Sequence, residues 1–274
     1  MNQPASPSHA LTLPEILAII AVVVIWGVNN AAAKVGTEVL PPLLMGAMRF
    51  ALAAACLVPF VRPPFPNWKS LLIIVFVGGP LHYGLIFLAF SLERLSKYAL
   101  AGMIIAFIGV AWMMGDPHVL QDWKAIAVGI AAAGCWALTT VIARRTTSIP
   151  PLKMQGLLSL VALPTLAFGS AVFEHGQMEA VRAATPLIWA CVLWAGLVSS
   201  VLATTLVFWL VQRREAGRVT PYLLATPVVS IAIGWLFLGD VLTVQILTGA
   251  ALTMGGVAVV ALAERGLRAG AAKG

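Results

Sequence analysis

Residues 26–34 read WGVNNAAAK and residues 136–144 read WALTTVIAR, an offset of 110. The Pro41-Pro42-Leu43 that follows the first lies over Pro150-Pro151-Leu152, and residues 78–92 lie over 196–210 at an offset of 118. Residues 93–110 then lie over 240–257, with Gly102 on Gly249 and Gly109 on Gly256, at an offset of 147. The chain is two copies of one unit, and the offset jumps by 29 between Leu92 and Glu93. In the second copy those 29 residues, 211–239, form a basic loop and an apolar span. The first copy is therefore about one membrane helix short. Two-copy membrane chains belong mostly to transporter architectures, with sites at the repeat interface.

The composition fixes the solvent. The 274 residues are 61 % hydrophobic and 10 % charged, with mean hydropathy +0.97. Soluble domains carry roughly 25 % charged residues. Apolar runs long enough to cross a bilayer recur along the whole chain. The net charge of +7 does not point to nucleic acid, because the basic residues sit in short clusters between apolar runs, such as Arg144-Arg145 and Arg213-Arg214. Such clusters read as cytoplasmic loop anchors. The three cysteines, Cys56, Cys135 and Cys191, lie within apolar spans and offer neither a disulfide framework nor a metal pattern. No metal and no cofactor are expected. HExxH, GxSxG and phosphate-loop signatures are absent, so an enzyme is not expected.

The expected fold is all-α, an inverted-repeat helical bundle, since helices satisfy every backbone group inside a bilayer. Nine candidate spans are read at about 15–34, 43–61, 70–91, 97–115, 123–143, 152–173, 186–210, 218–238 and 242–262. They divide into a tail 1–14, a first repeat 15–115, a second repeat 123–262 and a tail 263–274. Residues 15–34 read as a retained first helix, since no basic segment precedes them as in a signal peptide. Proline clusters at 41–42, 63–66 and 150–151 mark turns.

Orientation follows from counting Lys and Arg. With nine crossings and the N-terminus inside, four fall in inside loops and twelve outside, the reverse of the positive-inside rule. One more helix in the first copy would give thirteen inside and three outside. The loops are laid down for ten crossings. A nine-span chain is expected to hold its C-terminus inside and put its N-terminus outside, or leave one early span uninserted. Five spans per half is odd, and basic residues swap sides between the copies, as an inverted repeat requires.

WGVNNAAAKVG followed by PPLLMGAMRF, then ERLSKYALAGMIIAFIGV, RVTPYLLATPVVSIAIGWLFLGD and LTGAALTMGGVAVV together resemble the EamA family of the drug/metabolite transporter superfamily. The resemblance covers nearly all of residues 15–262. Within the family it most resembles members of the O-acetylserine/cysteine exporter type. It implies ten helices, both ends cytoplasmic, a central cavity and alternating access. The departure is at Leu92–Glu93, where the family carries a fourth helix. The implied function is export of a small metabolite, an amino acid or a derivative, across the bacterial inner (plasma) membrane by a multi-pass protein. The alternative is an internally deleted chain that inserts without transporting.

Polar groups inside a bilayer are costly and therefore candidates for substrate contact. Arg49 stands in an apolar span, where a guanidinium matches a carboxylate bidentately; capping carbonyls or snorkelling is the other use. Asn29 and Asn30 follow Trp26 and offer amide contacts to an amino acid or to a neighbouring helix. Trp136 and Thr140 are their counterparts in the second copy. His82 and Tyr83 lie mid-span, and His82 is the intramembrane group whose ordinary pKa suits proton coupling. Trp209 and Tyr222 complete the substrate-binding set. Pro221 and Pro227 frame a helix break that serves gating or only kinks the helix. Gly102, Ala106 and Gly109, with Gly249, Thr253 and Gly256, read as packing or dimer-contact faces. The expected partners are the small-molecule substrate, the lipid bilayer and a second copy of the chain.

Overall fold

A computed structural model describes residues 11–63, 149–214 and 216–271, together with helical positions 101, 104–106, 108–109 and 112. Among the described residues there is no strand. The elements are α1 (Leu13–Thr37), α2 (Pro42–Leu57) with a 3-10 turn Val58–Phe60, α3 (Pro151–Phe173) and a short α4 (Gln177–Ala183). One continuous span, Pro186–Arg213, joins α5 (Pro186–Leu193), a π-helical segment Trp194–Ala203 and α6 (Thr204–Arg213). Then come α7 (Ala216–Leu223), α8 (Thr226–Ile233) with a π turn Gly234–Leu238, and α9 (Val244–Ala271).

Five described helical spans are long and apolar enough to cross a membrane: Leu13–Thr37, Pro42–Phe60, Pro151–Phe173, Pro186–Arg213 and Pro221–Leu238. Each matches a span read from the sequence. Two candidate spans, 70–91 and 123–143, lie outside the described residues, as does most of 97–115. The second proline of each pair, Pro42 and Pro151, starts a helix, where its missing N–H costs nothing. The C-terminal segment 263–271, expected as a tail, continues α9.

A stripe of α1 at three- and four-residue spacing, Ala18, Val22, Ile25, Asn29, Ala32 and Gly36, is buried. It faces the 186–213 span: Trp194 donates from Nε1 to the Ile25 carbonyl at 3.4 Å, and a Cβ on Gly36 would lie 3.9 Å from Cys191. Ile16, Leu17, Ile20 and Val24 are exposed, which is the surface lipid covers in a membrane bundle.

Helix directions follow from the cross-contacts. Glu15 pairs with Arg214 and Lys34 with Asp240, so α1 runs parallel to residues 214–240. Gly27 meets Val229 between these ends; a Cβ there would lie 2.6 Å from Val229 Cγ1. Antiparallel packing joins α2 and α3: Gly46 lies against Leu166, Gly156 against Leu57, and Glu174 accepts from the Leu43 and Leu44 amides at 2.7 and 3.0 Å. Lys153 Nζ donates to the Arg62 carbonyl at 2.5 Å. Gly239, at φ 72°, turns the chain back into α9.

These contacts give the bundle two distinct faces. The start of α1, the end of α2, the start of α3, Arg213-Arg214 and the end of α9 share one. The turn of α1 into α2, Glu174, α4 and Asp240 share the other. Arg62, Lys153, Arg213, Arg214, Arg218, Arg265 and Arg268 belong to the first face, and Lys34 and Arg182 to the second. By the positive-inside rule the first face is cytoplasmic. The described helices thus place the start of α1 and the end of α9 together, against the expectation of an N-terminus outside. Ten crossings give α1 and α8 the same direction and α2 and α3 opposite directions. Nine successive crossings reverse both relations. The directions of these four helices are those of a ten-crossing plan.

Candidate functional site

The π segment Trp194–Ala203 lies at the middle of the 186–213 span and touches both early helices. A π turn widens the helix and shifts hydroxyl contacts by one residue. Ser200 Oγ donates to the Ala195 carbonyl at 2.9 Å and Thr204 Oγ1 to the Ser199 carbonyl at 3.1 Å, both five residues back. Such wide turns occur often at functional sites.

Arg49 reaches this segment from α2. Its Nε donates to Ser200 Oγ at 2.6 Å, and its guanidinium lies 5.4 Å from the Phe50 ring centre. Among the described residues no carboxylate pairs with it; the ion pairs there are Glu15–Arg214 and Lys34–Asp240. Ser200 is its hydrogen-bond partner, so both terminal nitrogens of the fork are unclaimed within the described residues. Close approach of α2 depends on Gly196, where a Cβ would lie 2.8 Å from Leu52 Cβ and 3.0 Å from the Arg49 carbonyl.

Asn29 comes to the same span from α1. It is 8 % exposed, and its Oδ1 is buried without a hydrogen-bond partner among the described residues. Ser170 Oγ, Ser199 Oγ, Thr205 Oγ1 and Thr226 Oγ1 share that condition. Unpaired polar atoms in an apolar interior are costly. Apart from Ser170 on α3, these atoms lie on α1, the 186–213 span and the start of α8. Asn30, by contrast, is exposed on the other side of α1, so the structure separates the two amides.

The remaining candidates fall as follows. Trp26, Trp209 and Tyr222 pack on one hydrophobic cluster with Val22, Ile25, Val207 and Phe208. Trp209 also carries the Arg213 guanidinium 4.7 Å from its ring centre, near the basic face. Pro221 is inside α7 and Pro227 is in the first turn of α8. Between them the helix is broken: Leu224 and Ala225 form a turn, with 3.2 Å and 3.1 Å bonds back to the Pro221 and Tyr222 carbonyls. His82, Tyr83, Trp136 and Thr140 lie outside the described residues. Sequence reasoning missed Ser200; the adjacent hydroxyls of Ser199 and Ser200 inside an apolar span were the available signal. Among the described residues no cluster of His, Cys, Asp and Glu is suited to a metal.

The small-residue faces pack on one another within the chain. A Cβ on Gly109 would lie 2.5 Å from the Thr253 backbone nitrogen and 2.6 Å from the Gly249 carbonyl. Thr253 Oγ1 lies 3.4 Å from the Ala106 carbonyl, and Trp112 Nε1 donates to Thr248 Oγ1 at 3.1 Å.

Comparison with known proteins gives a family and a fold. The sequence profile described as "EamA-like transporter family" matches residues 13–92 and 123–262. Its first stretch ends at the residue where the repeat offset jumps. A "Probable amino-acid metabolite efflux pump" of Salmonella typhimurium is 28 % identical over 276 residues, covering 86 % of this chain and 91 % of that protein. A protein of the same description in Escherichia coli K12 is 27 % identical over 283 residues, covering 88 % and 92 %. An "Uncharacterized inner membrane transporter YedA" of Escherichia coli K12 is 22 % identical over 256 residues, covering 81 % and 82 %. Among solved structures, one titled only "Crystal structure of protein" superposes with TM-score 0.71 at 20 % identity, covering 94 % of this chain and 99 % of its own. That likeness concerns the fold alone.

Proposed function

The chain belongs to the EamA-like transporter family, and from that premise we propose that it exports amino acids or amino-acid derivatives across the bacterial inner membrane. The coarser statement, a membrane transporter of small metabolites, follows from the family and from relatives described as efflux pumps. The finer reading is carried by Arg49. It is a cation in the apolar interior, held by a neutral serine and facing no described carboxylate. A buried guanidinium without a counter-ion is strongly disfavoured, and a carboxylate ligand satisfies its two terminal nitrogens in one bidentate contact.

Asn29 Oδ1 supplies an unclaimed acceptor on the neighbouring helix, suited to a substrate ammonium. The two repeats, 15–115 and 123–262, rock about this mid-depth site, and the broken helix at Pro221–Pro227 gives way as they do. Discontinuous helices of this kind line substrate sites in inverted-repeat carriers. Chemistry on the substrate plays no part in this mechanism.

The test is secretion. Cells producing the chain are compared with cells carrying the empty vector, and amino acids in the medium are quantified by mass spectrometry. Accumulation of one or a few amino acids or acylated derivatives is expected. Media indistinguishable between the two, with the protein present in the membrane, would refute export.

A further inference from the structure

We propose that Ser200 is a positioning residue that holds the Arg49 guanidinium in register for its ligand, and that the π segment exists to place that hydroxyl. This deepens the Arg49 reading above and rests on it for the ligand, though not for the geometry. Three observations carry it. Arg49 Nε donates to Ser200 Oγ at 2.6 Å, and Ser200 is fully buried. Ser200 in turn donates its one proton to the Ala195 carbonyl at 2.9 Å, so its oxygen is left to accept from Arg49. The carbonyl it uses lies five residues back, the spacing of a π turn rather than an α turn.

A serine in an ordinary α-helix bonds three or four residues back. Its hydroxyl would then point elsewhere on the helix. The wide register of 194–203 therefore turns Ser200 toward α2, where Gly196 leaves room for the Arg49 backbone to come close. The chain of bonds runs from guanidinium to hydroxyl to carbonyl, each link orienting the next. Arginine has a long flexible stem. Anchoring Nε on one side leaves the two terminal nitrogens as a fixed fork. Ser199, the adjacent residue, has an equally buried hydroxyl with no partner among the described residues, and it serves as the internal control.

The full chain in detergent is labelled with phenylglyoxal, which reacts at guanidinium nitrogens, and the extent at each arginine is read by peptide mass spectrometry. Ser200→Ala is expected to change the labelling of Arg49 by three-fold or more relative to Arg182, while Ser199→Ala leaves that ratio within about 1.5-fold. Equal ratios in wild type and Ser200→Ala overturn the positioning role, and so does an equal response to Ser199→Ala. Transport of radiolabelled L-cysteine in proteoliposomes then separates geometry from ligand. Ser200→Ala is expected to raise KM more than it lowers kcat, and to add nothing in an Arg49→Lys background. If Arg49→Lys leaves KM unchanged while Ser200 still controls labelling, the carboxylate reading fails and the positioning stands. If Arg49→Lys raises KM and Ser200→Ala does not, the positioning fails and the carboxylate reading stands.

Discussion

Glu15 and Arg214 form an ion pair at 2.7 Å, with side chains only 5 % and 16 % exposed, between the first turn of α1 and the end of the 186–213 span. The same carboxylate accepts the Thr12 amide at 2.7 Å, so it caps its own helix as well. At the other end of α1, nineteen residues on and about 28 Å away along a helix, Lys34 meets Asp240 at 2.7 Å in the open, with side chains 54 % and 44 % exposed. The two contacts are alike in distance and unlike in setting.

Their weights should differ accordingly. Removing one partner of a buried pair leaves an uncompensated charge and costs roughly 3–5 kcal/mol, whereas exposed pairs contribute about 0–1 kcal/mol. Arg214→Met is expected to lower the thermal midpoint of the detergent-solubilised protein by many degrees, and Lys34→Met by a degree or two at most. Thermal scans monitored by tryptophan emission measure both, and equal shifts would contradict the difference in burial.

Topology gives a second expectation. The start of α1, Arg62 and Arg214 share the basic face, and His175 belongs to the other. In a background lacking the three native cysteines, a cysteine at His175 should react with a membrane-impermeant maleimide in intact cells. Cysteines at Thr12, Arg62 and Arg214 should react only after permeabilisation. Labelling of Thr12→Cys in intact cells would restore the arrangement with the N-terminus outside.

Glycine positions provide a matched pair. A Cβ at Gly109 would meet the Thr253 backbone at 2.5 Å, whereas at Gly255 nothing lies within 4 Å. Gly109→Ala must push two helices apart and is expected to cost about 1–3 kcal/mol. Gly255→Ala is expected to be neutral or slightly stabilising, because alanine favours the helix by about 1 kcal/mol over glycine. Yield and monodispersity on size-exclusion chromatography, with thermal midpoints, compare them.

The break between α7 and α8 makes a functional prediction. Pro221→Ala lets the helix continue, which should keep or raise stability while slowing transport several-fold. A variant that is both less stable and equally fast would mark the proline as a packing element.

Much of the frame was legible in the sequence because its signals are strong. Pro42 and Pro151 each begin a helix in the structure, and the apolar runs between charged clusters became the described spans. Arg49 stood out because a charge within lipid-depth sequence is rare. Other features carried no such signal. Helix direction followed from pairs 199 and 206 residues apart in the chain, Glu15–Arg214 and Lys34–Asp240, and each charge alone fits an ordinary loop. Ser200 drew no notice, because no local pattern announces a π turn. The two asparagines looked equivalent until the α1 stripe divided them, with Asn29 inward and Asn30 outward.

Uptake by reconstituted protein tests the central claim most directly. Proteoliposomes preloaded with unlabelled L-cysteine are given radiolabelled L-cysteine or radiolabelled cysteamine, its decarboxylated counterpart, with wild-type protein and with Arg49→Met. The account predicts saturable exchange of L-cysteine, little exchange of cysteamine, and a loss of ten-fold or more in kcat/KM for L-cysteine in Arg49→Met, about 1.4 kcal/mol or more by the usual conversion. Equal exchange of the two compounds, or an Arg49→Met protein as effective as wild type, would contradict a site in which Arg49 binds the substrate carboxylate.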